Sequence, residues 1–246
     1  MGLRGGKIIS HASSIAWPRS PSQAGLTLLE IVLILVIFSL LVGGILQGQQ
    51  LITNARVRSV ISQQDKFKIA YLGFRDRYRA FPGDYATATA NIGGVTVNGN
   101  GNGLITPLGV SGATIDENIA VWEHLSKSNF VPEGYVYAAA PETIASAPIN
   151  VYSRYLQFIY DNVYGTGTPT PRHNLKTGNF IPSSIMSEVD TKIDDGIATT
   201  GAFQFSSWGG VDGSSPTGAG ACFPTTGTPF WNASDPVANC GAATMM

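Results

Sequence analysis

Charge is scarce in this sequence. Asp, Glu, Lys and Arg make up 13% of the chain, against about 25% in an average soluble protein. Beyond Lys192 there is no Lys or Arg at all. The net charge of −1 and the pI near 6.3 give no overall field with which to attract a nucleic acid. Only two cysteines occur, too few for a cysteine-based metal site but enough for one disulfide. The histidines, His11, His124 and His173, are scattered, and HExxH, GxSxG and phosphate-loop patterns are missing. No motif therefore points to an enzyme. Disorder is excluded by the 43% of hydrophobic and 10% of aromatic residues. Glycine is abundant, 29 of 246 residues, which predicts many loops in a chain long enough for one or two domains.

The apolar content is concentrated in Leu26–Leu46, LTLLEIVLILVIFSLLVGGIL, where Glu30 is the only charge. At 1.5 Å per residue this run covers about 31 Å, the thickness of a bilayer core. Its apolar residues go all the way round, unlike those of a one-faced core helix. It also exceeds the apolar core of a secretory signal, and its small-residue pair, Ala24-Gly25, lies before the run instead of after it. One membrane-spanning helix is expected. Positive charge does not orient it, because Arg4, Lys7 and Arg19 precede the span while Arg56, Arg58 and Lys66 follow it. Cys222 and Cys240 do. As a disulfide they need an oxidising compartment and would constrain the unfolded chain by about 3 kcal/mol. Residues 1–25 are then cytoplasmic and residues 47–246 extracytoplasmic.

Past the span, Val57, Val60, Ile61, Gln64, Phe67, Tyr71, Phe74, Tyr78 and Phe81 recur in steps of three and four and predict an amphipathic stem over residues 47–82. Pro82-Gly83 should end it. Gly43, Gly44 and Gly48 are its weak points, each costing up to about 1 kcal/mol relative to Ala. Arg75, Arg77 and Arg79 fall together and read as a solvated or subunit-facing surface before a DNA contact. Residues 83–246 form the head, with a Gly-, Thr- and Pro-rich loop over 209–246. Within the head, Thr114-Ile115-Asp116-Glu117 has capping-box spacing and predicts a helix from Ile115 to about Ser128. A second helix is predicted from Ser183 to Asp194, and strands at Tyr135–Ala138, Val151–Tyr160, Asn179–Ile181 and Ala202–Ser207. Short strands without alternating helices argue for an α+β fold with a small antiparallel sheet.

Asn98, Asn100 and Asn102, spaced by glycines, imitate the start of a calcium loop, but position twelve is Gly109 where a bidentate Glu is needed. A flexible turn is the plainer reading, and no cofactor is otherwise implied. Asp194 and Asp195 are neighbours, would point apart on a helix, and read as a helix-ending turn. Tyr152, Tyr155, Tyr160 and Tyr164 are either strand packing or a surface that stacks a ligand.

The boundary sequence Gln23-Ala24-Gly25-Leu26-Thr27-Leu28-Leu29-Glu30 resembles the prepilin peptidase site of type IV pilins and type II secretion pseudopilins. Phe81-Pro82-Gly83-Asp84 and Lys192-Ile193-Asp194-Asp195-Gly196 are similar to segments of bacterial pilin-like proteins. The resemblance implies a pilin-like fold in which Gly25 ends a leader, Leu26 becomes an N-methylated mature terminus, and Glu30 is the acid used in assembly. It further implies a bacterial inner-membrane subunit with a periplasmic head, built into a pilus or pseudopilus. Its partners would be prepilin peptidase, other subunits of the filament, the inner-membrane assembly machinery and the lipid bilayer. The alternative class is a monomeric membrane-anchored ligand-binding module.

Overall fold

A computed structural model describes Gly25 and residues 27–210 and 214–246 of the chain. It divides into two compact units, one ending at Gly48 and one beginning at Gln49. The first helix, α1 (Leu28–Tyr78), contributes to both.

In the first unit α1 is apolar on every face and buries nothing. Leu28 is 83% exposed and Leu40 71%. It is long and apolar enough to cross a membrane. The helix passes through Gly43, Gly44 and Gly48 without a break, and a Cβ at any of the three would meet no atom within 4 Å.

In the second unit the stripe read from the sequence faces inward. Val57, Val60, Gln64, Phe67, Ala70, Tyr71 and Phe74 are buried. The stripe serves two cores in turn. Val57 and Val60 pack with Ile185, Met186, Val189, Phe203, Phe205 and Trp231. Phe67, Tyr71 and Phe74 pack with Trp122, Leu125, Phe158 and Leu175. Tyr71 stacks on Phe158 at 5.3 Å and Phe67 meets Trp122 edge-on at 4.9 Å, offset and edge geometries that suit the ring quadrupoles. The helix stops at Tyr78, short of Pro82, because Arg79 takes a left-handed conformation, φ 55°, that an L-residue enters only at some cost.

The remaining elements are α2 (Ala88–Asn91), α3 (Glu117–Lys127), β1 (Gln157–Asp161), β2 (Arg172–Lys176), α4 (Ser183–Ile193), β3 (Phe203–Phe205) and β4 (Ala242–Met245). The four strands form one antiparallel sheet in the order β1-β2-β4-β3. The architecture is α+β, with a long N-terminal apolar helix, a small antiparallel sheet and one disulfide. Lys176, fully buried on β2, is held by Asp161 of β1 at 3.0 Å.

Several expectations need correction. Tyr135–Ala138 is not a strand. Val151–Tyr160 shrinks to β1, since Asn150 accepts the Tyr152 and Arg154 amides and holds the start of that segment in a turn. Asn179–Ile181 contributes only an isolated bridge between Ile181 and Cys240. The helix expected from Ile115 begins at Glu117, and the capping box does not form. Asp116 instead accepts the amides of Leu108 and Ala140, and Glu117 those of Asn100 and Thr106. Strand β4, placed by the sequence in a loop, is buried along its whole length inside the sheet.

Candidate functional site

Three places carry the residues singled out by sequence. The first is the start of α1. Thr27 caps it, its hydroxyl oxygen accepting the Glu30 amide at 3.2 Å. Thr27-Leu28-Leu29-Glu30 is thus a capping-box spacing, with Glu30 in the first helical turn where the helix dipole favours an anion. The signal for that local role is the Thr-x-x-Glu spacing just ahead of the apolar run. Gly25 is exposed, and a side chain there would meet nothing within 4 Å. Leu26, residues 1–24 and with them His11 lie outside the described residues.

The second is a cluster of loops tied down by buried carboxylates. Gly83, at φ 87°, brings the chain so close to α3 that a Cβ would stand 2.3 Å from the Glu117 carbonyl oxygen. Its amide donates to Nδ1 of His124 at 2.9 Å, while Nε2 of the same ring lies 3.1 Å from the Val97 carbonyl. One nitrogen accepts and the other donates, so the ring is the neutral tautomer. Burial holds its pKa down at about 4. Next along the chain, Asp84 accepts the amides of Gly101, Asn102 and Gly103. Glu123 accepts the Thr96 and Tyr137 amides. Desolvation pushes Asp84 and Glu117 upward from ordinary carboxylate values, and the donated hydrogen bonds pull them back.

At Asn98, Asn100 and Asn102 this arrangement is that of a hydrogen-bonded turn, the plainer of the two readings. Their side-chain oxygens accept the amides of Thr89, Asn102 and Leu104 respectively, and the loop turns amides toward Asp84. The segment is organised around an anion, the reverse of a cation loop. Beside it, Leu72, Arg75, Arg79, Phe81, Tyr85 and Gly103 line part of a cavity of about 510 Å³, within the range of small-molecule sites. His173, whose ring centroid is 4.4 Å from that of Phe81, is pushed down to about 4 by burial and then by Arg75. The tyrosines resolve into packing contacts. The Tyr160 ring meets His173, Tyr152 lies under Arg56, and the Tyr164 hydroxyl donates to the Thr170 carbonyl.

The third place surrounds the disulfide. Cys222 and Cys240 are joined, 18 residues apart and fully buried. The bond fixes the segment carrying Phe223 and Trp231 to the strand edge where Ile181 and Cys240 exchange hydrogen bonds. The Trp231 indole donates to Asp190 of α4 at 2.6 Å. Burial raises Asp190 to about 6, with Asp194 and Asp195 adding to the shift. Asp194 and Asp195 do not point apart as expected, because α4 ends at Ile193 and Asp194 has left the helical conformation, φ −148° and ψ −140°. The divergence of neighbours on a helix no longer applies.

No family model, curated protein or solved structure matches the chain.

Proposed function

We propose that this chain is a structural subunit of a filament assembled by helix packing, of the type IV pilus or type II secretion pseudopilus kind. The observation that carries the reading is the first unit of α1: apolar on every face, with a single acid, Glu30, in its first turn and Gly25 just ahead. Such a segment is insoluble alone and has two homes, lipid or the same segment of other subunits. In the first, the head is periplasmic and residues 1–25 face the cytoplasm. Cleavage after Gly25 by prepilin peptidase frees the Leu26 amine, which is then N-methylated. In the second, the assembly machinery moves the subunit from the inner membrane into a stack of α1 helices.

Glu30 supplies the register. An amine and a carboxylate at the end of an apolar helix are each costly unpaired in lipid. An incoming subunit that offers its Leu26 amine to Glu30 of the subunit added before it satisfies both. The stem's outward face adds contact area, since Leu51, Ile52 and Ile69 are exposed apolar residues. Mass spectrometry of protein from native cells tests the reading. A chain that begins at Leu26 supports it, and a chain retaining residues 1–25 in membrane protein would sink it.

A second reading, a monomeric membrane-anchored ligand-binding module, is favoured by the cavity lined by Arg75, Arg79, Phe81 and Tyr85. Filament formation by the purified mature chain separates the two.

A further inference from the structure

One reactive dipeptide recurs three times in succession: Asn98-Gly99, Asn100-Gly101 and Asn102-Gly103. The side-chain carbonyl of an asparagine is open to attack by the backbone nitrogen of the next residue, and glycine presents that nitrogen with no side chain in the way. By sequence the three pairs are equivalent. All three Oδ1 atoms also accept a backbone amide, from Thr89, Asn102 and Leu104 respectively, which polarises the three carbonyls alike. The fold separates them at the attacking nitrogen and at the leaving nitrogen.

At the second and third pairs a carboxylate holds the attacking nitrogen. The Gly101 amide donates to Oδ1 of Asp84 at 2.7 Å and to the Asp84 carbonyl at 2.9 Å, and the Gly103 amide donates to Oδ2 of Asp84 at 2.8 Å. Attack requires the amide to lose its proton. Each of these two must therefore give up a charge-assisted hydrogen bond and build negative charge against a carboxylate. Their leaving groups are tied down as well, since Nδ2 of Asn100 and Nδ2 of Asn102 donate to the Ser111 carbonyl at 3.4 and 2.8 Å. At the first pair both restraints are weaker. The Gly99 amide has only a neutral partner, the Tyr85 carbonyl at 3.1 Å. Asn98 is exposed, and among the described residues its Nδ2 donates to nothing.

We propose that Asn98 is a site of spontaneous deamidation in the folded head, and that Asp84 shields Asn100 and Asn102 from the same reaction. The Gly99 nitrogen gives its proton to hydroxide and bonds to Cγ of Asn98. The Cγ–Nδ2 bond breaks, and Nδ2 leaves as ammonia with a proton from water. A second water then opens the succinimide ring at either of its carbonyls, giving aspartate or isoaspartate. Aspartate can still accept the Thr89 amide and adds a negative charge to the loop. Isoaspartate puts an extra methylene into the backbone next to Gly99, where a Cβ would already stand 2.3 Å from the backbone of Asp84 and Gly83. There is no room for it, so that product shifts the loop away from Asp84.

The three neighbouring pairs serve as controls for one another. The full chain in detergent micelles is incubated at mildly alkaline pH for several days beside a sample unfolded in guanidinium chloride, and peptide mapping by mass spectrometry counts aspartate and isoaspartate at each position. In the unfolded chain all three pairs should convert at similar rates. In the folded chain Asn98 should convert at least about tenfold faster than Asn100 and Asn102, the factor expected for breaking a hydrogen bond to a charged partner before attack. Asp84→Asn, which removes the charge, should bring Asn100 and Asn102 up toward the rate of Asn98. If that variant fails to fold, its three pairs convert as in guanidinium chloride and the wild-type ranking decides alone. Asn98 converting no faster than its neighbours in the folded chain, or staying an amide while the unfolded chain converts, would overturn the assignment. Unchanged rates at Asn100 and Asn102 in a folded Asp84→Asn would overturn the shielding.

Discussion

Acid should loosen the head through one side chain, His124. Its ring is fully buried, takes the Gly83 amide on Nδ1 and reaches Val97 with Nε2. A proton on Nδ1 would destroy the acceptor that Gly83 needs. Burial lowers the pKa from 6.5 to about 4. The native state therefore resists a proton that the unfolded chain accepts. The stabilisation is complete above the unfolded value, is lost as the pH falls from about 6.5 to about 4, and changes no further below that. A shift from 6.5 to about 4, at about 1.4 kcal/mol per unit, amounts to roughly 3 kcal/mol. His173 acts in the same direction and window, while Asp84 and Glu117, raised by burial, act in the opposite sense as acid is added. Comparison with His124→Gln removes these other contributions. Glutamine can still accept from Gly83 and donate to Val97, and it does not titrate. The assay is urea unfolding of the head in micelles, followed by tryptophan fluorescence, at several pH values. His124→Gln should be the less stable protein near neutrality, by about 1–3 kcal/mol for poorer hydrogen bonds and packing. The gap between the two proteins should then close or reverse by about pH 4. An equal loss of stability on acidification in both would refute the reasoning.

Gly83→Ala should destabilise the head by about 3 kcal/mol, because the added methyl must displace backbone 2.3 Å away and φ is 87°; chemical denaturation measures it. Cys222→Ser with Cys240→Ser should cost about 3 kcal/mol, read as a lower midpoint in the same experiment, with reducing agent then having no effect on the variant. On the proposed filament reading, Glu30→Ala should leave insertion and cleavage intact while severely reducing filament assembly, scored by electron microscopy in cells whose own filament genes are deleted. Wild-type filaments from that variant would remove the amine-to-carboxylate step.

The elements legible in the sequence were those that bury one face. The stem's stripe needed only its three- and four-residue steps, and α4 its apolar residues and the break at Asp194. Helix α3 was placed, but its burial was not foreseen. It is buried nearly all round, and Glu117, Glu123 and His124 are inside because loop amides satisfy them. That satisfaction comes from residues far along the chain and leaves no local trace. The same holds for the asparagine loop. Its spacing reads as a turn that imitates a calcium loop, and the carboxylate its amides surround, Asp84, lies 14 or more residues earlier. Strand β4, Ala-Ala-Thr-Met, has no β-branched run, and its place is dictated by the facing strands.

Strand β4 also sets a timetable. It lies between β2 and β3, yet it follows both in the chain, and β2 ends at Lys176 while β4 begins at Ala242. At ribosomal speeds of about 5–20 residues per second, roughly 3 to 13 seconds separate the appearance of β2 from that of its inner neighbour. Throughout that interval β2 presents a bare edge and Leu175 lacks its Thr244 partner, while Gln64 of the stem waits for the Thr244 hydroxyl that will reach it at 2.7 Å. A bare edge next to other emerging copies invites pairing between chains. A cell making this protein in quantity must therefore keep half-made heads apart until residue 245 has emerged, and a stall in synthesis after β3 would leave an open-edged intermediate for proteases to clear.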